Sequence, residues 1–302
     1  MRRPLRRSRI LLLPMLMLGA CSSGPDERLA QLVSTGDLDR ARARILDSGV
    51  SKDRSDRDYV LDRMRLALVD LADGWPRDAD RTLTEVYDIL RLQGVNRDNT
   101  TAAVVVNEDV RYWKGEPFEQ ALAYHYMALV KGMLGDFGNM RAASGQSLFL
   151  LKDFGDAEGG GRRSTLDLAR NAAEDDDYLD AGYTPSPTDF ALGYVMAAIA
   201  NLVLDRTEEA SDQLRTATSL APGLAPLAER LERRDWNTIL VVDDGMGPAK
   251  TGYGPDNAIA AFVPRTRRSE PLSIVRDDQV QSWADACDVG AMAADHMWNN
   301  LE

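Results

Sequence analysis

Few residues in this chain have the types and spacing that chemistry needs. It holds two histidines and two cysteines among 302 residues. His296 follows Cys287 by nine positions, which gives neither the i,i+4 helical face nor the paired spacing of a zinc site. His125 stands between Tyr124 and Tyr126 in an expected helix and reads as a packed or surface histidine. Asp243-Asp244-Gly245 offers two neighbouring carboxylates, but adjacent residues on a strand point to opposite faces, so the triplet reads as a turn rather than an acid/base pair. Gly245-Met246-Gly247-Pro248-Ala249-Lys250 lacks the GK[ST] ending and the following helix of a phosphate-binding loop. GQSLF, Gly145 to Phe149, lacks the second glycine and the preceding strand of a serine nucleophile elbow. The sequence therefore nominates no catalytic residue, no metal ligand and no cofactor site, and the expectation is a protein that is not an enzyme.

Cys21 is a different matter. The chain opens MRRPLRRSR, basic and without an acid, then runs ILLLPMLMLGA, an apolar stretch too short to span a hydrocarbon core of roughly 30 Å. This is the pattern of an export signal. Leu18-Gly19-Ala20-Cys21 resembles the lipobox of bacterial lipoproteins, and the alternative is a plain signal peptide with an incidental cysteine. The resemblance implies removal of residues 1–20, diacylglycerol on the Cys21 thiol, an acylated new amino terminus, and residues 21–25 as a lipidated tether to the membrane. Ser22 and Ser23, with no aspartate after the cysteine, resemble lipoproteins sorted to the outer membrane. The expected location is the bacterial cell envelope, anchored by lipid and facing the periplasm.

Loss of the signal removes five arginines and no acid, taking the formal charge from −12 to near −17. Such a surface repels nucleic acid and anionic head groups, so no nucleic-acid partner is expected. With Cys21 lipidated, Cys287 has no disulfide partner within the chain, and the fold must hold through its core.

That core is organised by repetition. FALGYVMAAIANLVLDRTEEASDQLRTATSLAP, Phe190 to Pro222, places Ala198, Ala210, Ala217 and the closing Pro222 at the offsets of a tetratricopeptide (TPR) repeat, which it resembles. The geometric reason is that two helices approach closely only where small side chains face the partner. YVLDRMRLALVDLADGWPRDADRTLTEVYDIL repeats the scheme, with Ala67 and Ala79 twelve apart and Trp75-Pro76 at the turn. A third unit, FEQALAYHYMALVKGMLGDFGNMRAASGQSLFLL, keeps Ala128 but has Met140 where the second alanine is expected. A partial unit, with a turn at Gly36-Asp37 and Ala41 near the small site, precedes them. The expected fold is mainly α: residues 26–232 as a TPR-like solenoid of helical hairpins, against the alternative of an ordinary helical bundle.

Two connectors interrupt it. The 95–117 loop carries Val104 to Val106 and the aromatic pair Tyr112 and Trp113, which either line a groove for a ligand or plug the gap between hairpins. The 153–188 connector holds three consecutive glycines and a run of acids, with a short helix expected near Thr165 to Ala173. Beyond residue 235 the apolar runs Ile239 to Val242 and Ile259 to Val263 read as strands, with turns at Asp243-Asp244-Gly245 and Gly254-Pro255-Asp256-Asn257. Residues 235–302 thus read as a small β-containing module, closing in a helix drawn from QVQSWADACDVGAMAADHMWNNLE.

The lipobox, the hairpin sequence KGEPFEQALAYHYMALVKGMLGDF and the strand leading into DDGMGPAK together resemble a group of exported bacterial TPR-like lipoproteins. That resemblance implies architecture and location and carries over no catalytic residue. The expected function is a membrane-tethered scaffold that grips a protein partner in the envelope. The alternative is a small-molecule-binding protein or hydrolase using the 95–117 loop, with Trp113, and the module around Asp243 to Lys250.

Overall fold

The computed structural model describes residues 27–47, 54, 58–91, 104–107, 110–113, 115, 117–151, 190–243, 245, 247–253, 259–263, 274–276, 279–281 and 285–298. Cys21, the 1–20 signal, the Thr165 to Ala173 segment, Asp244 and the Gly254 to Asn257 turn lie outside the described residues. Within them the chain is mainly helical. The helices are α1 (Glu27–Ser34), α2 (Leu38–Asp47), α3 (Tyr59–Ala72), α4 (Pro76–Leu90), α5 (Pro117–Met133), α6 (Phe137–Leu150), α7 (Ala191–Val203), α8 (Thr207–Leu220), α9 (Ala225–Glu232) and α10 (Val289–Trp298). None of them is long and apolar enough to cross a membrane.

One turn recurs between consecutive helices. Gly36, Gly74, Gly135 and Asp205 all have left-handed backbones, with φ of 74°, 77°, 79° and 59°. At each, the left-handed residue donates its N–H to the carbonyl three residues back, and the next residue donates to the carbonyl five back: Gly36 to Val33 and Asp37 to Leu32, Gly74 to Leu71 and Trp75 to Asp70, Gly135 to Gly132 and Asp136 to Lys131, Asp205 to Leu202 and Arg206 to Asn201. This is the Schellman closure, which satisfies carbonyls that a helix end leaves open. The residue after each turn accepts the first hydrogen bond of the next helix, from Ala41, Ala79, Met140 and Ala210 in turn. Those four side chains, each five places past the left-handed residue, are buried, as are Leu29, Ala67, Ala128 and Ala198 twelve places before them. The alanine spacing is therefore the mark of four like hairpins: α1–α2, α3–α4, α5–α6 and α7–α8.

Each hairpin's second helix packs on the first helix of the next: α2 on α3, α4 on α5, α6 on α7. Two of these junctions carry an ion pair at the same place in the repeat. Arg42, six past Gly36, meets Asp70, four before Gly74, with Nε 2.7 Å from Oδ1. Asp80, six past Gly74, meets Lys131, four before Gly135, at 2.8 Å. The charges are reversed between the two. Arg42 also reaches Asp73 at 2.6 Å and lies 4.2 Å from the centre of the Trp75 ring.

The 95–117 connector, expected as an irregular loop, contains an antiparallel pair, β1 (Val104–Asn107) with β2 (Val110–Trp113). The β-branched valines and the aromatic pair favour a pleated backbone, and Asn107 pairs with Val110 across a two-residue connection. Further on, β3 (Ala249–Tyr253) pairs with β4 (Ile259–Val263), and β5 (Ile274–Arg276) with β6 (Gln279–Gln281), both antiparallel.

Two expectations are corrected. Ile239 to Val242 belongs to no ladder; it runs without regular structure, because Ile239 and Val241 find their cover on the helices and not on a neighbouring strand. The final helix is shorter than its sequence pattern, beginning where Asp288 Oδ1 accepts the N–H groups of Gly290 and Ala291 at 2.9 and 3.1 Å and so caps α10.

Candidate functional site

α5 starts at Pro117, whose missing N–H costs nothing in a first turn. The buried Gln120 side chain donates to the Gly115 carbonyl at 2.9 Å and fixes the entry from β2. Along this helix His125 stands four residues after Ala121 and three before Ala128, on the stripe that the small residues mark for burial. It is 3% exposed. Its ring meets Phe190 edge-on at 5.8 Å and Tyr126 at 5.5 Å, and neither ring nitrogen has a hydrogen-bond partner among the described residues. Burial pushes its pKa down to about 4, against the opposing pull of the Asp243 carboxylate.

Tyr126 extends from the same helix to a distant part of the chain. Its hydroxyl donates to Asp243 Oδ2 at 3.0 Å. Burial raises the phenol pKa, and the neighbouring Asp243 charge and hydrogen bond raise it further. Tyr124 is buried on another side, edge-on to Tyr87 at 6.3 Å, and burial followed by the Tyr87 phenol lifts its pKa to about 12. Cys287 lies close enough to Tyr126 to act on it electrostatically, while Ala286 accepts the Leu192 N–H at 3.0 Å in the first turn of α7. Met292 and Ala293 of α10 are buried with Phe118 and Phe190. Thus α5, the start of α7, Asp243 and residues 286–293 meet at Tyr126 and Phe190, the two rings that touch His125.

The arrangement joins Asp243 to Tyr126 and encloses His125, a link that sequence reasoning missed. The Ala121–His125–Ala128 spacing was the available signal for the burial; nothing local signalled the Asp243 contact, 117 residues away from Tyr126. Tyr112 and Trp113 lie on β2, opposite Val105 and Val104. Gly245 has φ 92°, the left-handed backbone that a glycine turn uses. Ser147, within the GQSLF stretch, is a buried residue of α6 whose hydroxyl donates to the Ala121 carbonyl at 2.7 Å, tying α6 to α5. His296 falls in α10. Among the described residues no group of three or more His, Cys, Asp or Glu side chains is arranged to hold a metal ion.

Chemically, the cluster offers a neutral imidazole sealed from solvent and a phenol–carboxylate bond that pins a chain segment. No protein-family model matches the chain, and no curated protein matches it.

Proposed function

We propose that this protein is a lipid-tethered helical-repeat scaffold of the bacterial cell envelope. In this reading Cys21 carries the lipid at the outer membrane, residues 26–232 form a TPR-like solenoid facing the periplasm, and residues 235–302 form a small β-containing module. One observation supports it above the rest: four hairpins share the same Schellman turn, the same buried position five residues later, and the same stacking of second helix on next first helix. A stack of this kind presents a long surface on which an extended partner can lie, and it needs no catalytic group. The acidic chain favours a partner with a basic or mixed surface.

The test is a crosslinking pull-down from intact cells, comparing the native protein with Cys21→Ala. The expected result is membrane attachment and a specific envelope protein with the native chain, both lost in the variant. Capture of no envelope protein by the native chain would sink the scaffold reading.

A further inference from the structure

Beyond α9 the chain turns at Arg234, whose φ is 54°, and runs through Asp243 without helix or ladder. Ile239 and Val241 point into the core cluster built mainly on α7, while Leu240 and Val242 are 66% and 40% exposed. That two-residue alternation is how an extended peptide lies on a preformed surface. Its ends are fastened by side chains: Trp236 Nε1 donates to the Leu231 carbonyl at 3.3 Å, and Asp243 accepts from Tyr126.

We propose that residues 236–243 are a strap that occupies the α5–α7 face in place of an external partner. The face then takes an extended peptide with apolar side chains two residues apart and an acidic side chain at the Tyr126 end, and that peptide must displace the strap. The proposal rests on the scaffold reading and locates its binding face.

Two independent features support it. No strap residue is fully buried, whereas the alanines of the hairpins it covers are, so the strap is seated on the helical core and not built into it. And beside Tyr126, which holds the strap's acidic end, lies His125, 3% exposed, with neither ring nitrogen partnered among the described residues. An occupant able to supply a donor or acceptor there holds an advantage over the strap.

The probe is a fluorescent peptide of the strap's own sequence, Trp-Asn-Thr-Ile-Leu-Val-Val-Asp, titrated into the full chain and into its Ile239→Asp/Val241→Asp variant. The variant is expected to bind the peptide at least tenfold more tightly than the unmodified chain, and a peptide carrying the same two aspartates is expected not to bind. A variant that keeps its helical circular dichroism yet binds no more tightly overturns the proposal. If the variant loses its helices, hydrogen exchange on the unmodified chain decides instead. Excess peptide should accelerate exchange of the Thr238 to Asp243 amides, and unchanged exchange overturns the strap. Capture of an envelope partner despite such a failure leaves the scaffold reading intact. A peptide-binding chain that captures no envelope protein fails the scaffold reading alone.

Discussion

Gly132 and Met140 share one space in the third hairpin: a Cβ added to Gly132 would stand 2.9 Å from the Met140 sulfur. Gly132 lies three residues before the left-handed Gly135, and Met140 five after it. The same two places hold Leu71 and Ala79 in the second hairpin and Leu202 and Ala210 in the fourth. The third hairpin has exchanged large and small across the turn, so the methionine that breaks the alanine pattern is matched by a glycine on the facing helix.

Exchange predicts coupling. Met140→Ala should cost about 2–4 kcal/mol through the cavity it leaves, and Gly132→Leu about 2 kcal/mol through overpacking. The double variant restores the leucine–alanine arrangement of the neighbouring hairpins and should recover about 2 kcal/mol of the summed losses. Urea denaturation of the four proteins measures this, and simple additivity would refute it.

Two glycines should respond in opposite ways to alanine. At Gly132 the added methyl meets the far end of a flexible thioether, and alanine favours a helix by about 1 kcal/mol, so Gly132→Ala should be neutral or mildly stabilising. At Gly193 the methyl would lie 2.6 Å from Phe190 Cδ1 and 2.9 Å from Leu148 Cδ2, against a fully buried ring. Gly193→Ala should therefore cost about 1–3 kcal/mol. Parallel denaturation curves giving the reverse order would show that the α6–α7 contact is looser than described.

The junction ion pairs should act as keys for the order of stacking. Arg42 is 14% exposed at its side chain and Asp70 7%, so Arg42→Ala strands a carboxylate in a largely dry place and should cost about 2 kcal/mol. At the next junction Lys131→Asp should destabilise by setting two acids together, whereas adding Asp80→Lys should recover much of the loss. A double-mutant cycle with no coupling would make these pairs incidental.

Much of this repetition is legible in the sequence because it is local. Gly36, Gly74 and Gly135 punctuate the turns, and the twelve-residue alanine spacing reads directly from two units. What is hidden depends on partners far along the chain. Met140 looks like a departure until Gly132, on the other helix, is seen to vacate its volume. Ile239 to Val242 has the composition of a strand, yet its cover is a helical surface, and composition alone does not distinguish the two. Asp243 reads as a turn residue, and only the fold carries it to Tyr126.

His125 makes the fold sensitive to acid. Its pKa of about 4 in the folded chain lies below the value near 6.5 expected once it is unfolded, because burial penalises the imidazolium by more than the Asp243 charge favours it. Above pH 6.5 both states are neutral and the folded state keeps its full stability. As pH falls from 6.5 towards 4 the unfolded chain takes up a proton that the folded chain refuses, so stability declines, by about 2 kcal/mol at pH 5. Most carboxylates are still ionised at pH 5, and the chain has only one other histidine, His296, so the window between pH 6.5 and 5 isolates the effect. His125→Phe should keep the ring against Phe190 and lose the titration. It should be at least as stable as the native chain at pH 7, since it replaces a buried polar ring, unpartnered among the described residues, with an apolar one, and its stability should change little down to pH 5. Urea midpoints for both proteins across that range are the measurement. An equal decline in the variant would move the acid sensitivity to another group and show that the imidazole finds a partner in solution.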